Sequence, residues 1–360
     1  MPLTSRFVWK KLDCCEKSNG KRTKYLNIIR GLEDFEKRNR ISKLGMSDRL
    51  EAKRKREQKR EENWNNIIKH CDKNIPDPEK ITWEEALEGK GFILKKSELV
   101  GSSKFSDVYK AKKKDYAEDI CCKIIKMKVS ASLLLSIYSK RSLKILQTLN
   151  HPSILKIFKL FTTTQADKLY IFMELGENGN MTNYVKNNGA IPEKQALILA
   201  KSLADGLGYL HSLGIAHRRF GGENAFIDKY GKAKIGGLEY FQEFFDIDHN
   251  CDITPCWMQH EVNMYHCPEI VEHEPHDPCS EDTWSYGVLL FFMLTASYPF
   301  DGYKNKKKMK AQVKEKKWMT SEKAKSFSSG IKNLLEGIFI YDAVQRLAME
   351  EIIALPVFNV

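Results

Sequence analysis

The chain predicts an α+β protein of two lobes. Strand-like runs fill residues 94–175, helical spacing dominates after Met181, and 42% of the 360 residues are apolar, enough for a sizeable core. In the first part, Leu94–Leu99, Ser106–Ala111 and Ile120–Met127 read as strands. Ser130–Leu149 has helical spacing, and Ile154–Phe161 and Leu169–Leu175 read as strands again. In the second part, Pro192–Leu213, Ser280–Leu294, Ser321–Phe339 and Met349–Leu355 read as helices. Residues 1–90 read as a basic extension, largely helical or partly disordered, and 91–360 as the folded body. Its N-lobe spans about 91–176 and its C-lobe about 177–360.

Composition narrows the class further. The net charge is +12, and residues 1–60 hold 19 Lys and Arg against 8 Asp and Glu. Nearly all the excess therefore sits on an N-terminal arm, while the body is close to neutral. Asp48–Lys69 has strong helix formers and mixed charge and reads as a solvated helix. Contact of this arm with nucleic acid, microtubules or an anionic membrane stays open, although few aromatics are interleaved with the basic residues. Ile75-Pro-Asp-Pro78 reads as a linker. The longest apolar run, near Val288–Leu294, is far short of the roughly 20 residues a membrane span needs. Met1–Arg6 has no apolar segment of the secretory kind, so a cytoplasmic or nuclear location and nine free thiols are expected.

Several short motifs carry chemistry. Gly101-Ser-Ser-Lys-Phe-Ser-Asp-Val108 lies between two predicted strands, and Ile120-Cys-Cys-Lys123 follows in the next. Then come Asn150-His-Pro-Ser-Ile154, Met173-Glu-Leu-Gly176, His217-Arg-Arg219, Gly222-Glu-Asn224, Cys267-Pro-Glu269 and Asp282-Thr-Trp-Ser-Tyr-Gly287. In this order and spacing, from about residue 94 onward, the chain resembles a protein kinase, most closely the testis-specific serine/threonine kinases or their calcium/calmodulin-kinase relatives. The resemblance implies a small antiparallel β N-lobe and a large helical C-lobe. It implies a nucleotide site at Gly101, Val108, Cys121, Lys123, Met173 (the gatekeeper), Glu174, Leu175, Asn224 and Phe226.

The same resemblance assigns jobs that this sequence does not fill. The catalytic-loop base falls on Arg219, and a guanidinium has no lone pair to accept a proton. The lysine that steadies the transferring phosphate falls on Gly221. The metal-binding Asp-Phe-Gly triplet falls on Gly237-Leu-Glu239, so the carboxylate is gone and Glu239 stands two residues too late. The partner of Lys123 falls on Ser142. Ser103 and Ser106 replace two loop glycines, and their β-carbons hinder backbone approach to phosphates. Asn224, a second metal ligand in the family, is kept, though a hydrogen bond inside the loop is its simpler role. Cys121 stands where the family has Ala and Phe226 where it has Leu, which crowds the adenine pocket.

The framework positions are retained: Val108 as the roof; Leu146, Ile157, His217 and Leu238 as an apolar column; Glu269 and Arg346 as a bracing ion pair; Asp282 and Trp284 as an anchor. The expectation is a pseudokinase without cofactor, with weak metal-independent ATP binding left open. It would act as scaffold or allosteric partner, with an active kinase as one candidate partner and a role in sperm development by analogy. A divergent active Ser/Thr kinase and a polyanion-binding protein using residues 1–60 or 304–317 are the alternatives. Oligomeric state is not readable. His249, Cys251, Cys256 and His260 have an irregular spacing that fits incidental groups better than zinc. No Ser or Thr lies between Pro255 and Cys279, and Met258 takes the phosphorylation position.

Overall fold

The fold is described from a computed structural model. It describes residues 79–81, 85–103, 106–126, 140–163, 168–238, 241–243, 245–246, 251–252, 263–272 and 276–359, with seven positions between 51 and 66. Most of the basic arm, the Ile75–Pro78 linker, Glu239, Met258 and the side chains of Ser142 and of the His249–His260 quartet lie outside the described residues.

Six strands form the N-lobe sheet: β1 (Glu79–Ile81), β2 (Phe92–Ser102), β3 (Ser106–Lys113), β4 (Ile120–Lys126), β5 (Ile157–Thr163) and β6 (Lys168–Glu174). Their order is β1-β5-β6-β4-β3-β2. The sheet is not wholly antiparallel, because β1 runs parallel to β5, with Glu79 opposite Phe161 and Ile81 opposite Thr163. Strand β4 shows why the sheet sits where it does. Its apolar residues alternate, so that each face buries a different set. Ile120, Cys122 and Ile124 join an outer core with Phe92, Phe161, Tyr170 and Phe172. Ile125, on the face shared by Cys121 and Lys123, joins the main core that continues into the C-lobe.

The outer core is closed by the segment expected as an extension. Ile81 of β1 and Leu87 of the short helix α1 (Ala86–Gly89) are both buried in it. A three-residue strand has no measurable period, so the sequence pattern does not reveal it. Helix α2 (Lys140–Thr148) presents Leu143, Ile145 and Leu146 inward. Residues 127–139, which include the first half of the predicted Ser130–Leu149 helix, are not described.

The C-lobe is built on α3 (Met181–Asn188), α4 (Glu193–Ser212) and α6 (Pro278–Thr295), with α5 (Pro268–Val271) before the last. Every residue of α6 from Cys279 to Thr295 is buried, which suits its continuous apolar stretch. Short strands β7 (Ile215–Ala216), β8 (Ala225–Ile227), β9 (Ala233–Ile235) and β10 (Gln242–Glu243) carry the loops between α4 and α5. Beyond α6 lie α7 (Lys306–Lys314), α8 (Glu322–Lys325), α9 (Ser329–Ile338) and α10 (Met349–Ile353). The single predicted helix over Ser321–Phe339 is thus two. The Ser328 hydroxyl accepts from the Ile331 N–H and starts a new helix, while Phe327 turns into the core. Among the described residues no helix is long and apolar enough to cross a membrane.

Trp284 on α6 is fully buried between Phe300 and Phe339, with the Arg346 guanidinium 5.0 Å from its ring. Arg346 donates to Glu269 at 2.9 Å and to the carbonyls of Ser280 and Ile340. The charge is buried, and both terminal nitrogens find acceptors, while Arg346 Nε and Glu269 Oε2 have none among the described residues.

Leu87→Ala should destabilise the intact chain by about 2–5 kcal/mol. Chemical denaturation followed by tryptophan fluorescence measures it. A neutral result would mean that α1 does not close the sheet.

Candidate functional site

The cleft between the lobes begins at the hairpin of β2 and β3. Gly101, Val108, Lys123 and Ile171 stand in one cross-strand row, and Cys121 pairs with Met173 in the next on the same face. Val108, Lys123 and Met173 are half-buried and Cys121 is buried. The hairpin is stapled by the residues that replace glycine. Ser103 N–H donates to the Ser106 carbonyl at 2.7 Å, and Ser106 N–H donates to Ser103 Oγ at 3.1 Å. The two hydroxyls lie 3.0 Å apart. Ser102 donates to Asp107, which also pairs with Lys126. Two loop N–H groups are therefore already committed inside the hairpin.

At the hinge, Cys121 Sγ lies 3.3 Å from the Glu174 carbonyl and donates to it. Burial pushes the Cys121 thiol up to about 12 from its ordinary 9.0, with the Lys123 charge opposing. The Glu174 carboxylate is held by Lys234 Nζ at 2.7 Å and by the Lys156 N–H, beside half-buried Leu175. It acts as a brace between the lobes, a role invisible in the motif Met-Glu-Leu-Gly. Below, Phe226 is wedged between two glycines. A β-carbon on Gly176 would stand 2.8 Å from Phe226, and one on Gly236 2.7 Å from its ring. The ring thus fills the floor. Leu146, Ile157 and Leu238 line a cavity of about 10 Å³ with Ile171 and Met173, room for about one water.

The catalytic loop is built on one buried carboxylate. Asp282 accepts the N–H of His217 and the N–H of Arg218, each at 2.7 Å, and His211 Nε2 lies 2.9 Å away. These bonds hold Arg218 at a φ of +62°, a left-handed conformation costly for a side chain of its kind. His217 accepts the Arg219 N–H at Nδ1, so its Nε2–H donates to the Gly236 carbonyl at 2.8 Å. Arg219 is exposed. Gly221 is packed under Tyr265, whose ring would be 3.1 Å from a β-carbon there. A side chain there requires the tyrosine ring to give by a few tenths of an ångström. Tyr265 was not singled out by sequence reasoning, and no spacing rule would have found it.

Asn224 and Gly237 meet directly. Asn224 Nδ2 donates to the Arg219 carbonyl at 2.7 Å. Its Oδ1 lies 2.3 Å from where a β-carbon of Gly237 would stand, and Gly237 has a φ of +70°. The amide therefore occupies the space that any side chain at 237 would need. Ser142 lies on α2, with its side chain outside the described residues. No cluster of three or more metal-ligating side chains occurs among the described residues.

This arrangement, a twisted sheet over a helical lobe with a loop anchored on α6, defines a kinase-fold cleft. The chain matches the protein kinase domain family over residues 94–358 and belongs to it. It is similar to testis-specific serine/threonine-protein kinase 3 of Mus musculus, 28% identical over 269 residues, covering 75% of this chain and 96% of the relative. Testis-specific serine/threonine-protein kinase 1 of Mus musculus is 28% identical over 270 residues, covering 74% of this chain and 72% of the relative. The human testis-specific serine/threonine-protein kinase 3 is 28% identical over 269 residues, covering 75% and 96%.

Gly237→Asp should destabilise the chain by about 1–3 kcal/mol, since it adds strain at positive φ and breaks the Asn224–Arg219 bond. Asn224→Ala in the same chain should return part of that loss, because the collision is with that side chain. Thermal midpoints of the four combinations test it, and strict additivity would refute the contact. The Cys121 thiol gives a pH signature. The unfolded thiol ionises first, so its contribution is complete below about pH 9 and is lost as pH rises toward 12. Cys121→Ala should flatten the alkaline fall in stability, read by denaturation at stepped pH.

Proposed function

We propose that this chain is a catalytically inactive member of the protein kinase family, acting through protein contacts as a scaffold or allosteric partner. One observation carries the reading. The Asn224 amide fills the space beside Gly237 and is tied to the Arg219 carbonyl, so the two family metal-ligand positions are turned to packing one another. Phosphoryl transfer depends on positioning and charge stabilisation, with carboxylates holding Mg²⁺ and a base facing the acceptor. Here the base position carries a cation and the metal position carries no side chain. The residues present do not fit an Mg²⁺-nucleotide. Weak metal-free nucleotide binding is compatible with this reading, through Lys123 and the hinge.

Active relatives support a second reading. The similar proteins are named serine/threonine kinases, and Lys123 and Asn224 survive here. A divergent kinase would need a base and a metal ligand from elsewhere in the chain. The relatives' names also suggest a role in sperm development, and the basic arm suggests help in localisation within cytoplasm or nucleus.

The purified intact chain separates the two readings. Thermal shift with ATP should show no stabilisation that depends on Mg²⁺, and radiolabelled ATP should leave no label on protein acceptors. Label that appears with the chain and vanishes in Lys123→Ala would overturn the proposal.

A further inference from the structure

Helix α7 has two kinds of lysine. Met309, Gln312 and Val313 face the core, and Asn305 caps the helix by accepting from the Lys308 N–H. Lysines beside the buried face are used for attachment. Lys306 pairs with Glu272 and Lys308 with Asp301, each at 2.8 Å, and Lys316 just beyond pairs with Glu336 at 2.7 Å. At about 100° per residue, the opposite face carries Lys307, Ala311 and Lys314, with Lys310 beside them. All four are exposed. Lys307 and Lys314 have no ion pair or hydrogen bond among the described residues, and Lys310 has only the Tyr341 ring at 5.2 Å. Like charges three and four residues apart weaken a helix, so this outward stripe is a cost that folding does not require.

We propose that this face docks an acidic helix of a partner protein. Lys307, Lys310 and Lys314 extend over about 10 Å of helix, the separation of carboxylates two turns apart on a partner helix. Ala311 at the centre lets a second backbone come close. The alternatives fit less well. The stretch 304–317 has eight lysines and no arginine, so it lacks the planar fork suited to phosphates. Its neighbouring rings, Tyr303 and Tyr341, already lie against Lys304 and Lys310. A membrane-lying helix needs an outward apolar face, and that of α7 is in the core. The inference names the partner chemistry of the scaffold reading, and its test reads binding alone, so it stands or falls independently of phosphoryl transfer.

The test uses the intact chain and a synthetic alanine-rich helical peptide with glutamates two turns apart, followed by fluorescence anisotropy. Duplex DNA and phosphatidylserine vesicles are the comparison probes. Reversal of Lys307, Lys310 and Lys314 to Glu should weaken peptide binding at least about tenfold, as expected for three modest ion pairs. The same reversal at Lys112, Lys113 and Lys114 on the N-lobe should have little effect. Ala311→Trp keeps the charge but blocks close approach, and should also weaken the peptide. Equal losses from both triple reversals would reduce the effect to net charge and overturn the proposal. Indifference to Ala311→Trp would do the same, as would DNA or vesicle binding that depends on the α7 lysines while the peptide's does not.

Discussion

The Asp282 carboxylate is the constraint on which the site depends. It is fully buried at the start of α6, and a buried charge is tolerable only when its lone pairs are taken. Two backbone N–H groups and an imidazole meet that demand, and in doing so they draw the segment His217–Arg219 against the helix and force Arg218 into an unfavourable backbone conformation. His217 then reaches across to Gly236, which ties this loop to the one carrying Gly237. The geometry of a catalytic loop is therefore built and held without reference to the groups that stand on it.

What stands there has been filled in with protein. Serine hydroxyls occupy the hairpin and satisfy its backbone, a phenylalanine ring lies between Gly176 and Gly236, and a tyrosine ring covers Gly221. The two rings pack against glycines, as close packing requires, whereas the serines add side chains where the family has glycine. Such changes are coupled. Restoring a side chain at 237 displaces Asn224, and a longer residue at 221 presses on the Tyr265 ring.

Much of this fold was legible in the sequence, and the exceptions have physical reasons. Strands β3, β4 and β6 and helices α4 and α6 begin and end within about two residues of the expected limits, because their apolar spacing is long enough to measure. The break at Ser326–Ser328 was missed because the helical spacing continues through it and only the Ser328 cap interrupts it. Strand β1 was missed because three residues after a proline pair show no period, and because its partner β5 lies far along the chain. The positions of Arg219, Gly237 and Asn224 were read from motif spacing. The contact of Asn224 with Gly237 and of Tyr265 with Gly221 was not, since each joins residues that only the tertiary fold brings together. The Glu174–Lys234 brace was hidden for the same reason.

Strand β1 has a practical consequence. A sheet edge with free N–H and C=O groups invites pairing with another molecule. The edge of β5 is covered by Glu79–Ile81, and the apolar surface beside it by Leu87. A fragment cut at residue 94, where the family match begins, would lose both covers at once. Self-association of such a fragment would reflect the cut rather than the protein, and assays of this cleft belong on a chain that keeps the strand.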